Sequence, residues 1–353
     1  MDISTAKKQF ETVIHMLING GDLEHVQAKK VFTSLLDREL GEANETSLGA
    51  FLAAMQTKGP TVPELTALLS VVLEHDGSVN ESTANNLYGI VGSGKDEVKT
   101  YNVSTCATFV AAVAGVPVVK NGSRSDTSLA GTTDILESLG VNVSLSPAEA
   151  VTILGKLGVT FIDAESSFPR MCTEYVGKVL FKNPLSYTLS MASGIPFKNM
   201  VFGISFDETD QVANTLREAG MCRCIVAAGH DANGKHFDEL SSIGPTKISE
   251  LVEGEIRTCI IKPEDVGLPI GEYLPIAQAD TLEEAKSMFL SVLRGEAPSE
   301  TSDIVALNAA ALLYIADKAP SLREAVTMAQ QIISTSEAGK LFAKFTALTH
   351  EIS

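Results

Sequence analysis

Apolar residues in the first 75 positions recur at intervals of three and four: Ala6, Phe10, Val13, Ile14 and Ile18 would share one face of a helix. Gly20-Gly21 ends that helix, and Asp22 stands where it would cap the next. Thr61 followed by Glu64, with Pro63 in the first turn, has the form of a capping box opening a helix that runs to about Leu73. No stretch here alternates as a strand does. The pattern predicts a small helical domain over residues 1–75, with one apolar face packed on a partner.

From about Asn86 the texture changes. Short apolar runs at Leu87–Val91, Val116–Val119, Val159–Ile162, Val201–Ile204 and Cys222–Ala228 predict buried strands. Between them lie helical patterns at Val103–Ala114, Asp134–Leu139, Pro147–Leu157 and Gln211–Ala219. Lys247–Ile261 alternates and predicts antiparallel strands around Glu253-Gly254. Residues 165–193 turn helical again, broken at Pro169 and Pro184, and are expected to return to the first helical domain. From Thr281 onward helices dominate, with the alanine- and leucine-rich Ala306–Ala316 a buried one. The alternation predicts the α/β class: a small N-terminal α-helical domain (1–75, with 165–193), and a large α/β domain (76–164 and 194–353) whose mostly parallel central sheet is flanked by helices. In such sheets ligands sit beyond the carboxyl ends of the strands, where the glycines after Val91 fall.

Composition narrows the function classes. A net charge of −17 over 353 residues disfavours general nucleic-acid binding, which needs a cationic footprint. No apolar run reaches membrane-spanning length. The start, Met1-Asp2-Ile3-Ser4, lacks a signal-peptide pattern, so a cytoplasmic location is expected by default. Five irregularly spaced cysteines are no disulfide framework, and Cys222-Arg223-Cys224 reads as buried reduced thiols.

The candidate chemistry concentrates between Gly92 and Leu139. Gly92-Ser93-Gly94-Lys95-Asp96 is neither a P-loop nor a dinucleotide fingerprint, and alone it reads equally as a turn or a ligand loop. Asn102-Val103-Ser104-Thr105 gathers three polar side chains at the start of an apolar helix. One N-cap needs one such residue, so three point to a ligand: Ser104 offers a hydroxyl to a metal, Thr105 to a phosphate oxygen. Lys120-Asn121-Gly122-Ser123-Arg124-Ser125 follows a buried strand, with Lys120 the best-held cation for a phosphate and Arg124 placed for a structural ion pair. Far along the chain, Asp238-Glu239 beside Ser241 forms an oxygen set suited to Mg²⁺, against the plain alternative of a solvated turn.

These pieces, in this order, resemble the anthranilate phosphoribosyltransferase family and, more distantly, the nucleoside phosphorylases that share its fold. The glycine loop stands where the family has Gly-Thr-Gly-Gly-Asp, Asn102–Thr105 where it has Asn-Ile-Ser-Thr, and Lys120–Ser125 where it has Lys-His-Gly-Asn-Arg-Ser. Asp238-Glu239-Leu240-Ser241 with Gly244-Pro245-Thr246 matches its metal loop. The resemblance implies transfer of phosphoribose from phosphoribosyl pyrophosphate (PRPP) to anthranilate or another small aromatic acceptor, with Mg²⁺, in a homodimer built on the helical domain. It implies PRPP binding by Gly92, Ser93, Gly94, Asp96, Asn102, Ser104, Thr105 and Lys120. Metal would be held by Ser104, Asp238 and Glu239, and the acceptor by Asn121, Gly122, Ser123 and Lys178. Departures cluster on the acceptor side: Asn121 and Ser123 replace histidine and asparagine, Lys178 lies nearest an arginine position, and Ser190-Met191-Ala192-Ser193 replaces Gly-Pro-Leu. Lys95 replaces a loop glycine. A nucleoside or nucleotide phosphorylase and a non-catalytic binding relative are the alternatives.

Overall fold

The computed structural model describes residues 3–76, 86–94, 96–125, 130–176 and 178–352. Its first four helices, α1 (Ile3–Ile18), α2 (His25–Leu36), α3 (Asn44–Lys58) and α4 (Val62–Asp76), pack around Phe32 and Phe51, whose rings stack at 6.4 Å. Asp22 does not cap α2. Glu24 does, in a reciprocal capping box with Gln27. Asp22 instead meets Lys58 at 2.8 Å, and Lys58 also meets the fully buried Glu64 at 2.8 Å. Glu64 accepts the N–H of Leu23 and of Thr61, while the Thr61 hydroxyl has no hydrogen-bond partner, so only half of the expected box at α4 forms. A carboxylate out of water must be met by donors on both oxygens, and that demand draws Asp22's loop onto Lys58.

The remaining chain alternates as predicted: β1 (Tyr88–Gly92), α5 (Val103–Val113), β2 (Val118–Gly122), α6 (Thr132–Ser138), α7 (Pro147–Leu157) and β3 (Val159–Asp163). Then come α8 (Ala164–Ser167), α9 (Pro169–Glu174), α10 (Pro184–Met191), β4 (Asn199–Gly203), α11 (Thr209–Glu218), β5 (Arg223–His230) and the short β6 (His236–Phe237). The hairpin β7 (Thr246–Val252) and β8 (Glu255–Ile261) follows, then α12 (Leu282–Leu293), α13 (Ser299–Ile315), α14 (Leu322–Ser334) and α15 (Glu337–Glu351). The strands lie in the order β3-β2-β1-β4-β5-β7-β8, with β6 pairing β5. From β3 to β5 every neighbour is parallel, and β7 and β8 are antiparallel. β3 and β4 are buried at every position, as expected of strands with both faces covered. Helix α13 is buried almost throughout and packs on α5 and α14.

Pro169 and Pro184 do not break helices but open them: each sits in the first turn, where its missing N–H costs nothing. Helices α9 and α10 pack back on α4, and α10 also on α3. Asp76 accepts the N–H of Arg170 and Met171, and the Tyr175 hydroxyl donates to the carbonyls of Leu35 and Leu36. Cys106 and Cys224 are buried free thiols, whereas Cys222 and Cys259 are exposed. The exposure of Cys222 corrects the buried reading: it lies in a bend just before β5. Among the described residues no helix is long and apolar enough to cross a membrane.

Candidate active site

Strand order reverses beside β1: the chain runs outward through β2 and β3, then returns to place β4 on the other side of β1. Such a switch point opens a crevice beyond the carboxyl ends of the two strands. Gly92 ends β1 and Gly203 ends β4, and the two are register partners. A Cβ on Gly92 would strike the Asp238 carboxylate, and one on Gly203 would strike the Asp238 backbone carbonyl. Two glycines side by side therefore let the segment after β6 cross the strand ends and bring Asp238 and Glu239 into the crevice.

The glycine loop closes around that segment. Gly94, at φ +70°, donates its N–H to Asp238 Oδ2 at 2.6 Å. Ser93 donates its N–H to the Gly203 carbonyl at 2.9 Å. Lys95 lies outside the described residues. At the start of α5, Asn102 holds the N-cap position but makes no capping hydrogen bond, and its amide reaches the Ala130 carbonyl at 3.4 Å. The Ser104 N–H donates to Glu239 Oε1 at 3.2 Å, and the Thr105 and Thr132 hydroxyls lie 3.3 Å apart. The polar cluster is thus not used for capping by side chains; a carboxylate 135 residues away meets the helix start instead.

Charge on this floor is unbalanced. Burial raises the Asp96 and Glu239 carboxyls well above the usual carboxylate range, with Asp238 adding to both shifts, and burial raises Asp238 itself. Asp96 Oδ1 is buried with no hydrogen-bond partner. Three carboxyl groups, Glu239 buried and Asp96 and Asp238 half-buried, one with an orphaned oxygen, form an all-oxygen donor set, and this fits a hard divalent cation such as Mg²⁺.

Lys120 faces the same floor. It is only 3% exposed, donates to the Asn121 carbonyl at 2.8 Å, and lines the cleft. Burial pushes its ammonium down to about 8, opposed by Asp238 and Glu239. It therefore sheds its charge as pH rises through about 8. Calorimetry with Mg²⁺ and pyrophosphate should show affinity about tenfold weaker at pH 9 than at pH 7. The loss should disappear in Lys120→Arg, whose guanidinium stays charged. Equal affinity of the wild type at both pH values would remove Lys120 from the anion site.

The cleft holds about 550 Å³ and has two halves. The polar half is lined by Gly92, Ser93, Gly94, Asp96, Asn102, Ser104, Thr105, Lys120, Asp238 and Glu239, so the residues expected at the phosphates and metal converge. The second half is walled by the returning segment, with Phe168, Tyr175, Val179, Leu185 and Leu189 among its lining. Asn121, Gly122 and Ser123 join the halves. Because β2 extends to Gly122, Lys120 and Asn121 lie within a strand rather than in a loop. The Asn121 amide donates to the Ala192 carbonyl at 2.9 Å, and its oxygen accepts from the Ser193 hydroxyl at 2.8 Å. Lys178 departs from expectation: it is exposed and does not line the cleft. The short α9 ends before it, and the apolar Tyr175, Val176 and Val179 take the inner positions. Arg124 pairs with Asp134 and Glu137, as its structural reading predicted.

Two contributors escaped the sequence reading. The aromatic wall of Phe168 and Tyr175 lies on a segment whose short helices hide any period. Lys182 donates to the Ser205 carbonyl and hydroxyl at 2.7 and 2.8 Å, and the Ser205 hydroxyl donates to the Gly94 carbonyl at 3.3 Å. This relay ties the returning segment to the glycine loop. A lysine before an Asn-Pro helix start carries no signal of such a partner.

Comparison with known proteins agrees with this architecture. Residues 84–339 match the glycosyl transferase family α/β domain, and residues 11–76 match that family's helical bundle domain. Anthranilate phosphoribosyltransferase of Parvibaculum lavamentivorans is 33% identical over 346 residues, covering 97% of this chain and 98% of that protein. The enzyme of that name from Symbiobacterium thermophilum is 33% identical over 350 residues, covering 97% and 98%. The crystal structure of anthranilate phosphoribosyltransferase from Thermus thermophilus superposes with a TM-score of 0.84 at 27% identity, over 96% of this chain and 99% of that one. A structure of the Saccharomyces cerevisiae enzyme in complex with PRPP and Mg shares the fold at a TM-score of 0.82 and 19% identity, over 99% of this chain and 98% of that one. On the strength of both domains and of full-length identity, this chain belongs to the anthranilate phosphoribosyltransferase family of glycosyl transferases.

Proposed function

We propose that the protein is a Mg²⁺-dependent phosphoribosyltransferase, moving phosphoribose from PRPP to anthranilate or another small aromatic amine with release of pyrophosphate. The observation that carries this reading is the convergence of the glycine loop, the α5 start, Lys120 and the Asp238-Glu239 pair in one cleft whose other half is apolar and aromatic. PRPP fits the polar half in charge with Mg²⁺ between its phosphates and the carboxyl groups, and an aromatic ring fits the other half. Family membership and the names of the relatives support the same activity.

In this mechanism the small residues of the glycine loop leave room for the phosphates, and Asn102, Thr105 and Lys120 bind the 5′-phosphate and pyrophosphate. Asp238, Glu239 and Ser104 would hold Mg²⁺, which supplies charge neutralisation on the leaving pyrophosphate. Bond breaking places positive charge on the ribose ring and negative charge on the leaving oxygens. Lys120 stabilises the latter. An aromatic amine is unprotonated at neutral pH and attacks without a strong base. Its ring lies against Phe168, Tyr175, Leu185 and Leu189, so positioning supplies most of the catalysis. Residues 1–75 with 165–193 form the smaller of two domains, the wall of the cleft moves with it, and the helical domain forms a homodimer interface.

Among the described residues the cations lining the cleft are Lys99, Lys120 and Arg124, and the returning segment that walls the apolar half adds no lysine or arginine, its one charged lining residue being Glu165. A carboxylate on the acceptor therefore meets hydroxyls and amides rather than a cationic fork. A screen of aromatic amines, following pyrophosphate release from PRPP, should show turnover. Removing the acceptor's ortho carboxylate should raise KM by less than about tenfold, whereas loss of a buried charge pair costs more. Absence of turnover with every amine, with PRPP binding intact, would refute the acceptor assignment. Absence of PRPP binding would refute the reading as a whole.

A further inference from the structure

One strand over from the cleft, two histidines and an aspartate converge at the carboxyl ends of β4 and β5. Asp207 lies in the loop after β4, His230 ends β5, and His236 starts β6. One nitrogen of each imidazole and one carboxylate oxygen all lie within 4.8 Å of one another. His230 Nε2 is 3.2 Å from Asp207 Oδ1, and His236 Nε2 is 3.3 Å from Asp207 Oδ2. The His236 contact is close, yet it is not a satisfied hydrogen bond: His236 Nε2 is buried without a hydrogen-bond partner, and on His230 the other ring nitrogen, Nδ1, is buried without one as well. Two ligands each about 2.05 Å from a tetrahedral ion stand about 3.3 Å apart, close to the distance from each histidine Nε2 to an Asp207 oxygen. Behind the ring of His236, the Glu97 carboxylate lies 3.7 Å from Nδ1 and accepts the His236 backbone N–H at 3.2 Å. A carboxylate on the far side of a ligating imidazole is the usual orienting partner.

We propose that Asp207, His230 and His236 form a second metal centre that takes a borderline divalent transition metal of the zinc class, separate in position and donor chemistry from the hard-cation set at Asp238 and Glu239. Imidazole nitrogen favours zinc-class ions, and an all-oxygen set favours magnesium, so the two sites sort their metals by ligand type. Three ligands leave a fourth position to water, which the half-exposed Asp207 side chain leaves accessible. The centre has a clear mechanical use. The His236 carbonyl accepts the N–H of Glu97 and of Val98, and Asp238 follows His236 by two residues. An ion joining the β4 loop, β5 and β6 would fix the segment that carries Asp238 and Glu239 against the glycine loop.

The test uses full-length, untagged protein stripped with chelator, loaded with one equivalent of Zn²⁺ in millimolar Mg²⁺, and desalted. Elemental analysis should find one zinc per chain, and Co²⁺ in its place should give visible d–d absorption. His230→Ala with His236→Ala should lower zinc affinity by more than about 100-fold, and Glu97→Gln by about 10-fold, while Asp238→Asn with Glu239→Gln leaves zinc content unchanged. Circular dichroism checks that each variant is folded, and Asp207→Asn, which keeps the side-chain volume, provides a second ligand deletion. The proposal is overturned if wild type retains no zinc, if the histidine variant retains as much as wild type, or if zinc is lost only on changing Asp238 and Glu239. These outcomes are read without any turnover, so they stand apart from the phosphoribosyltransferase reading.

Discussion

Asp238→Asn with Glu239→Gln is expected to cut Mg²⁺-dependent turnover by about 1,000-fold or more while leaving the protein folded. The replacements keep volume and acceptor oxygens, so the N–H groups of Gly94 and Ser104 still find partners. What is lost, on the proposed reading, is two carboxyl groups that would hold the cation. Stability should move the opposite way. Because burial raises the Asp238 and Glu239 pKa values, the folded state holds protons that the unfolded chain has released. Their stabilising contribution is present below the unfolded carboxyl range, near pH 4, and is lost as pH rises through the folded values. At neutral pH without metal the double variant should therefore melt no lower than wild type. Wild type should gain Tm on adding Mg²⁺ and the variant should not. A variant with wild-type turnover, or with an intact Mg²⁺ shift in Tm, would remove these residues from the metal site.

Gly203→Ala should cost about 3 kcal/mol of stability and most of the activity, although it adds a single methyl. The strand backbone accepts alanine at this position, since its φ is not positive. The obstacle is the Asp238 carbonyl, which occupies the place of the new Cβ. Either β4 shifts in the middle of the parallel sheet, or the Asp238 segment lifts off the strand ends and carries the carboxylates with it. Gly155→Ala is the matched control. Nothing lies within 4 Å of its Cβ, it sits inside α7, and the change should stabilise by about 0.5–1 kcal/mol. Denaturant unfolding of the two variants separates the effects. Equal stability would show that the Asp238 crossing is not held by glycine.

Much of this architecture was legible in the chain because buried strands and helix starts are local. Pro147–Leu157 is helical over the expected span, and the hairpin turns at Glu253-Gly254 as the alternation predicts. The misreadings have a different origin. Asp22 was placed by its neighbours as a cap, but a buried carboxylate on α4 decided its partner. β2 continues through Lys120 and Asn121 because β3 supplies partners at those positions, which a run of polar residues cannot announce. In the cleft, the glycine loop and the carboxylate pair carried signals as motifs. The apolar wall did not, because it is assembled from short helices whose packing is set by α3 and α4. The resemblance assigns Lys178 to the acceptor as the residue nearest an arginine position, yet it lies beyond the end of α9 and is exposed.

The hydrogen bond between Asn121 and Ser193 joins the end of β2 to the residues after α10. The two side chains are one coupled unit. Grafting a relative's residue at 121 alone would leave the Ala192 carbonyl and the Ser193 hydroxyl without this partner, and changing 193 alone would strand the amide oxygen. A double-mutant cycle across the pair should thus be non-additive by about 1 kcal/mol. A redesign of this wall of the cleft at Asn121 therefore has to change Ser193 with it, because each side chain supplies the partner the other would lose.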